Sequence, residues 1–322
     1  MKILVTGGAG FIGSHLVDSL LAKQNAVLVM DNLSSGRKEN LPLNSENHRL
    51  IFVQGDLTSW QNWPAILEGV EVVYHFASNP EVRVGETDPQ LHFHQNLTAT
   101  YRLLEAMRRS RTAKSMIFAS TSTVYGDAIL LPTPEDYGPL FPISTYGASK
   151  LGCEALISSY AHTFKMRGLI LRFANIVGSR SHHGVISDFI NKLRQNSTSL
   201  EILGDGKQKK SYLHISDCVE AITLTAESFL KSDKRTDLYN IGSRDQITVQ
   251  RIAEIICEEL GYKSVRFTFT GGVDGGRGWY GDVKTMHLSV GKLQQLSWRA
   301  VLNSEEAVRH ATKELLAELS KK

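Results

Sequence analysis

The sequence predicts an α/β fold, a doubly wound parallel sheet followed by a smaller C-terminal α/β domain. Three observations lead there. Short β-branched runs alternate with longer amphipathic stretches through the first half of the chain, which is the pattern of βαβ units and a parallel sheet. The first such run passes directly into a glycine-rich turn and then a helical pattern, through Gly7-Gly8-Ala9-Gly10-Phe11-Ile12-Gly13. The chain has 322 residues, more than a single domain of about 150 residues needs.

The elements follow in order. Strands are expected over Ile3 to Thr6, Ala26 to Asp31, Leu50 to Gln54, Val70 to Phe76, Ser115 to Ser120 and Leu169 to Phe173. A helix is expected from Phe11, and long helices precede the last two strands, over Gln90 to Arg109 and Ser144 to Thr163. About six strands or more is the usual size of a doubly wound sheet. After Asn175, clusters of Gly, Ser, His and Asp separate shorter elements. Helices are expected there near Ile186 to Arg194, Asp217 to Leu230, Val249 to Leu260 and Ser304 to Leu319. This places a first domain at 1–175 and a second at 176–322. Asp237 to Gly242 reads as another buried strand, so a return to the main sheet is expected near 212–242.

Composition narrows the function classes. Lys plus Arg is 36 against 33 for Asp plus Glu, a net charge of +3, with 21% charged and 42% hydrophobic residues. So balanced a chain lacks the concentrated cations that nucleic acid or an anionic membrane requires, and neither is expected as a partner. Cys153, Cys218 and Cys257 are too few and too scattered for a disulfide framework or a thiolate metal site. Met1-Lys2-Ile3-Leu4-Val5-Thr6 is too short an apolar run for a signal peptide, and no 18-residue apolar stretch follows. A cytoplasmic location is expected. The Asn-x-Ser/Thr matches at Asn96 and Asn196 then carry no weight.

The glycine turn satisfies both G-x-x-G-x-x-G (7, 10, 13) and G-x-G-x-x-G (8, 10, 13). Missing side chains let backbone approach a pyrophosphate and aim helix N-terminal amides at it. A bare turn explains glycines equally well when they stand alone, but here they lie between strand and helix. Asp31 ends the next strand, 18 residues beyond Gly13, where an acid accepts hydrogen bonds from the adenosine ribose hydroxyls and repels a 2′-phosphate. The reading is a Rossmann domain for NAD rather than NADP. Asp56, after the third strand, is a second strand-end carboxylate; a helix N-cap is the other reading of it.

Tyr146 and Lys150 stand four apart on the expected helix Ser144 to Thr163, so they share a face. A Tyr of ordinary pKa near 10 needs about 4 kcal/mol of phenolate stabilisation to act as a base near neutrality. A neighbouring ammonium and a cationic nicotinamide could supply it. Tyr280 and Lys284 have the same spacing, but Gly281-Asp282 between them reads as a turn. What favours the first pair is the run Ser120-Thr121-Ser122-Thr123-Val124-Tyr125-Gly126 at a strand's C-terminal end, where open α/β sheets bind ligands. A hydroxyl there could share a substrate proton with Tyr146. Most of these Ser and Thr are expected to bond only backbone. The pairs His92/His94 and His182/His183 lack a third ligand at recognisable spacing. They are expected to be exposed, and no metal site is expected.

These residues resemble a family, the extended short-chain dehydrogenases/reductases, and within it the NAD-dependent nucleotide-sugar epimerases and dehydratases. The members it most resembles are the UDP-glucose (UDP-galactose) 4-epimerases. The resemblance runs nearly end to end, through GGAGFIGSHL (7 to 16), DNLSSG (31 to 36), GDL (55 to 57), YHFAS (74 to 78), TVYG (123 to 126), YGASK (146 to 150), RFANIVG (172 to 178), GDG (204 to 206) and YNIGS (239 to 243). It implies an NAD site lined by Gly7, Gly10, Phe11, Ile12, Asp31, Asn32, Ser35, Gly36, Asp56, Leu57, Phe76, Ala77 and Asn96, together with Tyr146 and Lys150. It implies a catalytic triad of Thr121, Tyr146 and Lys150, with Thr121 and Asn175 touching the substrate. Gly184, Val185, Ile186, the loop Gly204 to Tyr212 with its Lys210 and Tyr212, and Arg277 would hold the nucleotide and its diphosphate.

The implied reaction is transient oxidation. Tyr146 takes the proton of the sugar 4-hydroxyl, C4 hydride passes to tightly bound NAD, the 4-keto sugar turns over, and the hydride returns to the other face. Resembling dehydratases carry Thr-Asp-Glu, and decarboxylases Thr-Ser-Glu, before Val-Tyr-Gly; here the run is Thr121-Ser122-Thr123. Without an acid at 122 or 123, 4-epimerisation of a UDP-sugar is the chemistry that remains. UDP-N-acetylhexosamine and UDP-glucuronate 4-epimerases, or another sugar-nucleotide oxidoreductase, are the alternatives. A catalytically silent NAD-binding sensor is a further one. Departures from the family pattern are Lys209-Lys210-Ser211 where relatives have Arg-Asp, Trp279 where they have Arg, and Met286 at a gate position where core filling is an equal reading. The resemblance also implies a homodimer through the helices Gln90 to Arg109 and Ser144 to Thr163.

Overall fold

The computed structural model describes residues 1–43 and 48–320. The elements are β1 (Lys2–Thr6), α1 (Phe11–Ala22), β2 (Ala26–Asp31), β3 (Leu50–Gln54), α2 (Trp63–Leu67), β4 (Val72–His75), α3 (Pro89–His92), α4 (Ala99–Arg109), β5 (Ser115–Thr121), α5 (Thr145–Thr163) and β6 (Arg167–Phe173). Then come β7 (Asn175–Val177), α6 (Val185–Gln195), β8 (Ser199–Ile202), β9 (Lys209–Lys210), β10 (Tyr212–His214), α7 (Ile215–Lys231), β11 (Thr236–Ile241), β12 (Ile247–Thr248), α8 (Val249–Leu260), β13 (Arg266–Phe269), β14 (Thr285–Met286), α9 (Gly291–Gln294) and α10 (Ser304–Ser320).

A seven-stranded sheet runs in the order β11-β6-β5-β4-β1-β2-β3. β1 pairs in parallel with β2 on one side and β4 on the other, so the chain reverses its direction of winding between β1 and β4. That is the switch point beside which open α/β sheets bind ligands. The doubly wound expectation holds, and the predicted return strand is β11, at the edge of the sheet.

The chain forms two compact units. The first comprises Met1–Val124, Thr145–Arg172 and Ile222–Tyr239; the second comprises Tyr125–Ser144, Phe173–Ala221 and Asn240–Lys322. Segment 125–144, which the sequence reading left inside 1–175, packs with the second unit.

In the first unit all seven residues of β5 are buried. Leu4, Met30, Val73, Met116 and Phe118 of the sheet form one core with Leu103, Leu104 and Met107 of α4 and Cys153, Ile157 and Tyr160 of α5. At about 25 cal/mol per Å² of apolar surface, each such side chain contributes about 1.5–3 kcal/mol. The expected continuous helix Gln90 to Arg109 is instead α3, a π-helical segment Phe93–Thr98, and α4. Apolar spacing cannot reveal such a change of hydrogen-bond register, and π segments concentrate at functional sites.

The second unit has its own core, in which Ile186, Phe189 and Ile190 of α6 meet Ile252, Ile255 and Ile256 of α8 and Val308 and Ala311 of α10. Small sheets surround it: β10 beside β7 in parallel, β12-β9-β14, and β13 beside β8. Thr248 caps α8 by accepting from the Arg251 N–H, and Gly261 ends that helix in the left-handed conformation, the usual chemistry at each terminus.

Candidate active site

The glycine turn is built for close backbone approach. Gly7 sits at φ +70°, and a Cβ there would lie 2.5 Å from Ala77 N. At Gly13 a Cβ would collide with the Gly7 carbonyl oxygen. Gly10 is the N-cap of α1 and brings no side-chain hydrogen bond, so the amides of Phe11, Ile12 and Gly13 face the start of the helix without a side-chain acceptor. An anion suits that position by hydrogen bonding and by helix dipole together.

Asp31 closes β2 beside this turn and is 7% exposed. Its carboxylate accepts from the Ala9 N–H at 3.0 Å and the Leu33 N–H at 2.8 Å. Burial is the strongest influence on it and pushes its pKa up. Each oxygen retains acceptor capacity for a hydroxyl. Asn32 donates to Asp56 at 2.9 Å, while Asp56 accepts from the Thr58 N–H and hydroxyl at 2.8 and 2.6 Å. Asp56 therefore organises a turn; no helix begins there, so the N-cap alternative fails. Ser35 and Gly36 lie in the loop after β2, Leu57 is buried, and Phe76 and Ala77 follow β4 half-buried. Asn96, in the π segment, accepts from the Asn79 N–H at 2.8 Å and donates to Ser149 at 3.0 Å. It ties the loop after β4 to α5.

Thr121, Tyr146 and Lys150 come together at the end of β5. The Thr121 hydroxyl hydrogen-bonds the Tyr146 phenol, which favours the phenolate, yet burial dominates and pushes Tyr146 up to about 12. The chain alone holds the phenol protonated. Lys150 is 2% exposed, donates to the Ala119 carbonyl at 2.8 Å, and sits 5.9 Å from the Tyr146 ring centroid. Burial brings its pKa down to about 8.

Around these three residues the neighbouring hydroxyls do different work. Ser120 donates to Glu154, which also receives Arg172 through Nε at 3.0 Å and Nη2 at 2.7 Å. Thr121 accepts from the Thr123 N–H at 3.2 Å and lies 3.1 Å from its hydroxyl.

Sequence reasoning gave two histidines beside this site no role in it. His92 is buried rather than exposed. Its Nε2 donates to the Glu81 carbonyl at 3.1 Å, its Nδ1 accepts from Thr145 at 2.9 Å, and its ring meets the Tyr146 ring edge-on at 5.6 Å. It fixes the first turn of α5, where Tyr146 stands. His75 joins Thr6 at 2.7 Å to Thr100 at 2.9 Å. Because Thr100 donates onward to the Asn96 carbonyl at 2.7 Å, His75 Nε2 carries the proton and Nδ1 accepts. Burial, with Lys150 second, pushes its pKa down to about 3. Neither histidine falls in a recognisable spacing, so nothing in the sequence marks them.

In the second unit, Asn175 donates to the Ser211 carbonyl at 3.3 Å. Gly184 precedes α6 at φ +91° with no side-chain cap, and Val185 and Ile186 form its first turn. Tyr212 is buried, and burial pushes its pKa up. Lys210 pairs with Asp282 at 2.5 Å. Arg277 grips Asp127 through both terminal nitrogens, at 3.0 and 2.8 Å, and donates to the Asp282 carbonyl at 2.6 Å. Both cations thus carry internal counter-ions. Trp279 Nε1 and Gln208 Oε1 are buried without a hydrogen-bond partner, and such groups are costly unless something binds them. Met286 is buried, and Tyr280 and Lys284 lie outside any helix.

Comparison with known proteins agrees with this geometry. A model of the NAD dependent epimerase/dehydratase family matches residues 3–242. A putative UDP-glucose 4-epimerase of Methanocaldococcus jannaschii is 32% identical over 312 residues, covering 95% of this chain and 96% of that protein. The crystal structure of a UDP-galactose 4-epimerase superposes with a TM-score of 0.87 at 43% identity, covering 99% of this chain and 100% of that one. A UDP-glucuronic acid 4-epimerase from Bacillus cereus, solved with UDP-glucuronic acid and NAD, superposes with a TM-score of 0.86 at 28% identity over 99% of this chain and 100% of that one. Since the family match runs from the first strand to the edge strand of the sheet, the chain belongs to the NAD dependent epimerase/dehydratase family.

Proposed function

We propose that the chain is an NAD-dependent 4-epimerase of UDP-sugars, interconverting UDP-glucose and UDP-galactose. The observation that carries the reading is the surroundings of Tyr146. Its phenol bonds Thr121, Thr121 in turn bonds Thr123, and no carboxylate stands at 122 or 123. Proton exchange at the sugar 4-hydroxyl is provided for. Proton removal at C5, which dehydration needs, has no agent in this run.

The first unit fits NAD: pyrophosphate at the amides that begin α1, ribose at Asp31 with Asn32, Ser35 and Gly36, and the remainder along Asp56, Leu57, Phe76, Ala77 and Asn96. NAD, when bound, supplies the hydride acceptor and donor and a positive ring. Tyr146 takes the 4-hydroxyl proton and later returns it. Thr121 shares that proton, and Lys150, held by the Ala119 carbonyl, contributes a fixed positive charge. In the second unit the nucleotide falls to Asn175, Gly184 to Ile186, Lys210, Tyr212 and Arg277. A diphosphate there replaces Asp282 and Asp127 as counter-ion, and Trp279 Nε1 and Gln208 Oε1 suit a phosphate oxygen and a ribose hydroxyl. We also propose a homodimer through the run from α3 to α4 and through α5, where Phe93 and Tyr101 are about half exposed.

Purified protein incubated with UDP-galactose and no added NAD will form UDP-glucose, followed by proton NMR. UDP-N-acetylglucosamine and UDP-glucuronate in parallel reactions define the accepted sugar. Failure to interconvert any UDP-hexose, or release of water or carbon dioxide instead, contradicts the proposal.

A further inference from the structure

We infer that the second unit carries a divalent transition-metal site formed by His214, His310 and Glu314, with Zn²⁺ as the ion its donors suit. His214 closes β10. His310 and Glu314 stand four apart on α10, so both project from one face. One ligand atom from each of the three lies within 4.8 Å of the others. His214 Nε2 is 3.2 Å from Glu314 Oε2, and His310 Nε2 is 3.7 Å from Glu314 Oε1.

Ligand atoms about 2.0–2.1 Å from a tetrahedral zinc ion stand roughly 3.3 Å apart. The His214 and Glu314 atoms already have that separation. His310, with 57% of its side chain exposed, closes the remainder by turning on the helix surface. Two imidazoles and a carboxylate are a recurrent zinc donor set, and water completes the fourth position.

The surrounding contacts orient the ligands as metal sites require. The Ser179 N–H donates to Glu314 Oε2 at 2.8 Å, and the neighbouring Arg180 N–H donates to Glu318 on the same helix at 2.9 Å. His214 Nδ1 accepts from the Ser216 N–H at 3.3 Å and lies 2.8 Å from the Ser216 hydroxyl, so in the ion-free chain Nε2 carries the proton and donates to Glu314. Binding requires that proton to move to Nδ1, where the Ser216 hydroxyl can accept it, which frees the Nε2 lone pair for the ion. The bound ion pins α10 to the end of β10. None of the three residues belongs to the proposed NAD, sugar or diphosphate contacts, so the site acts on the stability of this unit.

The test uses full-length protein without a histidine tag, stripped of metal by chelation and titrated with Zn²⁺ by calorimetry. One ion per chain is expected, together with a higher thermal midpoint. Replacing an outer partner of a metal ligand costs about 10–100-fold in affinity, so removing a ligand in His310→Ala is expected to cost at least about 100-fold. His310 is exposed, so this variant keeps its fold; unchanged circular dichroism checks that. Co²⁺ in place of Zn²⁺ will show the visible absorption of a tetrahedral site in the wild type and lose it in the variant. Absence of saturable binding, or equal affinity in His310→Ala, overturns the inference.

Discussion

Tyr146 and Lys150 share a face of α5 and face the same problem of burial with opposite consequences. Bringing a phenol from about 12 to neutrality takes about 7 kcal/mol of preferential phenolate stabilisation. The Thr121 hydrogen bond already acts in that state, so the proposed chemistry requires the positive charge of a bound cofactor beside the Lys150 ammonium. Lys150 titrates near 8 in the native chain and near its ordinary value when unfolded. Between those pH values the unfolded chain holds a proton that the native chain has released, so this residue makes stability rise with pH across that window. Lys150→Met removes the rise, and the difference between the two denaturation curves amounts to about 3 kcal/mol. The same substitution lowers turnover about 100–1000-fold, the usual cost of one preorganised electrostatic donor. Parallel curves from pH 8 to 10.5 would show that Lys150 does not carry the buried charge. The sequence named both residues from spacing and from the hydroxyl run at a strand end. It gave His92, Glu154 and Arg172 no role beside them, because the contacts that make them matter span 18 to 53 residues of chain.

At the scale of elements, strand positions were the most legible feature, since β-branched runs between turn residues mark a parallel sheet directly. Ala26–Asp31 and Leu50–Gln54 match their expected limits residue for residue. The run from Gln90 to Arg109 was legible as helix but not as α, π and α segments in turn, because apolar spacing reports the buried face and not the backbone ladder. The π segment carries Asn96 to the loop after β4. Phe93 in that segment and Tyr101 on α4 are 55% and 48% exposed, an unusual surface for large aromatic side chains. The proposed dimer buries them. Light scattering is therefore expected to give about twice the chain mass of 35.8 kDa, and Tyr101→Glu to shift the protein toward the monomer while leaving its circular dichroism unchanged. A monomeric wild type would refute the dimer.

For the molecule as a whole, the near-balanced charge matches a protein whose ligand phosphates need a few local cations rather than a basic surface. The two candidate cations, Lys210 and Arg277, are each neutralised internally by Asp282 and Asp127. No helix among the described residues is long and apolar enough to cross a membrane. Sequence order concealed the placement of 125–144, which packs with the second unit, whereas 222–239, within the return expected near 212–242, packs with the first. The central claim is that C4 of a UDP-sugar is oxidised and reduced again within one protein, with Tyr146 handling the proton. UDP-galactose carrying deuterium at C4 tests this directly. The account predicts UDP-glucose that retains the deuterium at C4, formed without added NAD and not formed by Tyr146→Phe. Loss of the label to solvent, or a dehydrated or decarboxylated sugar as the product, would contradict it.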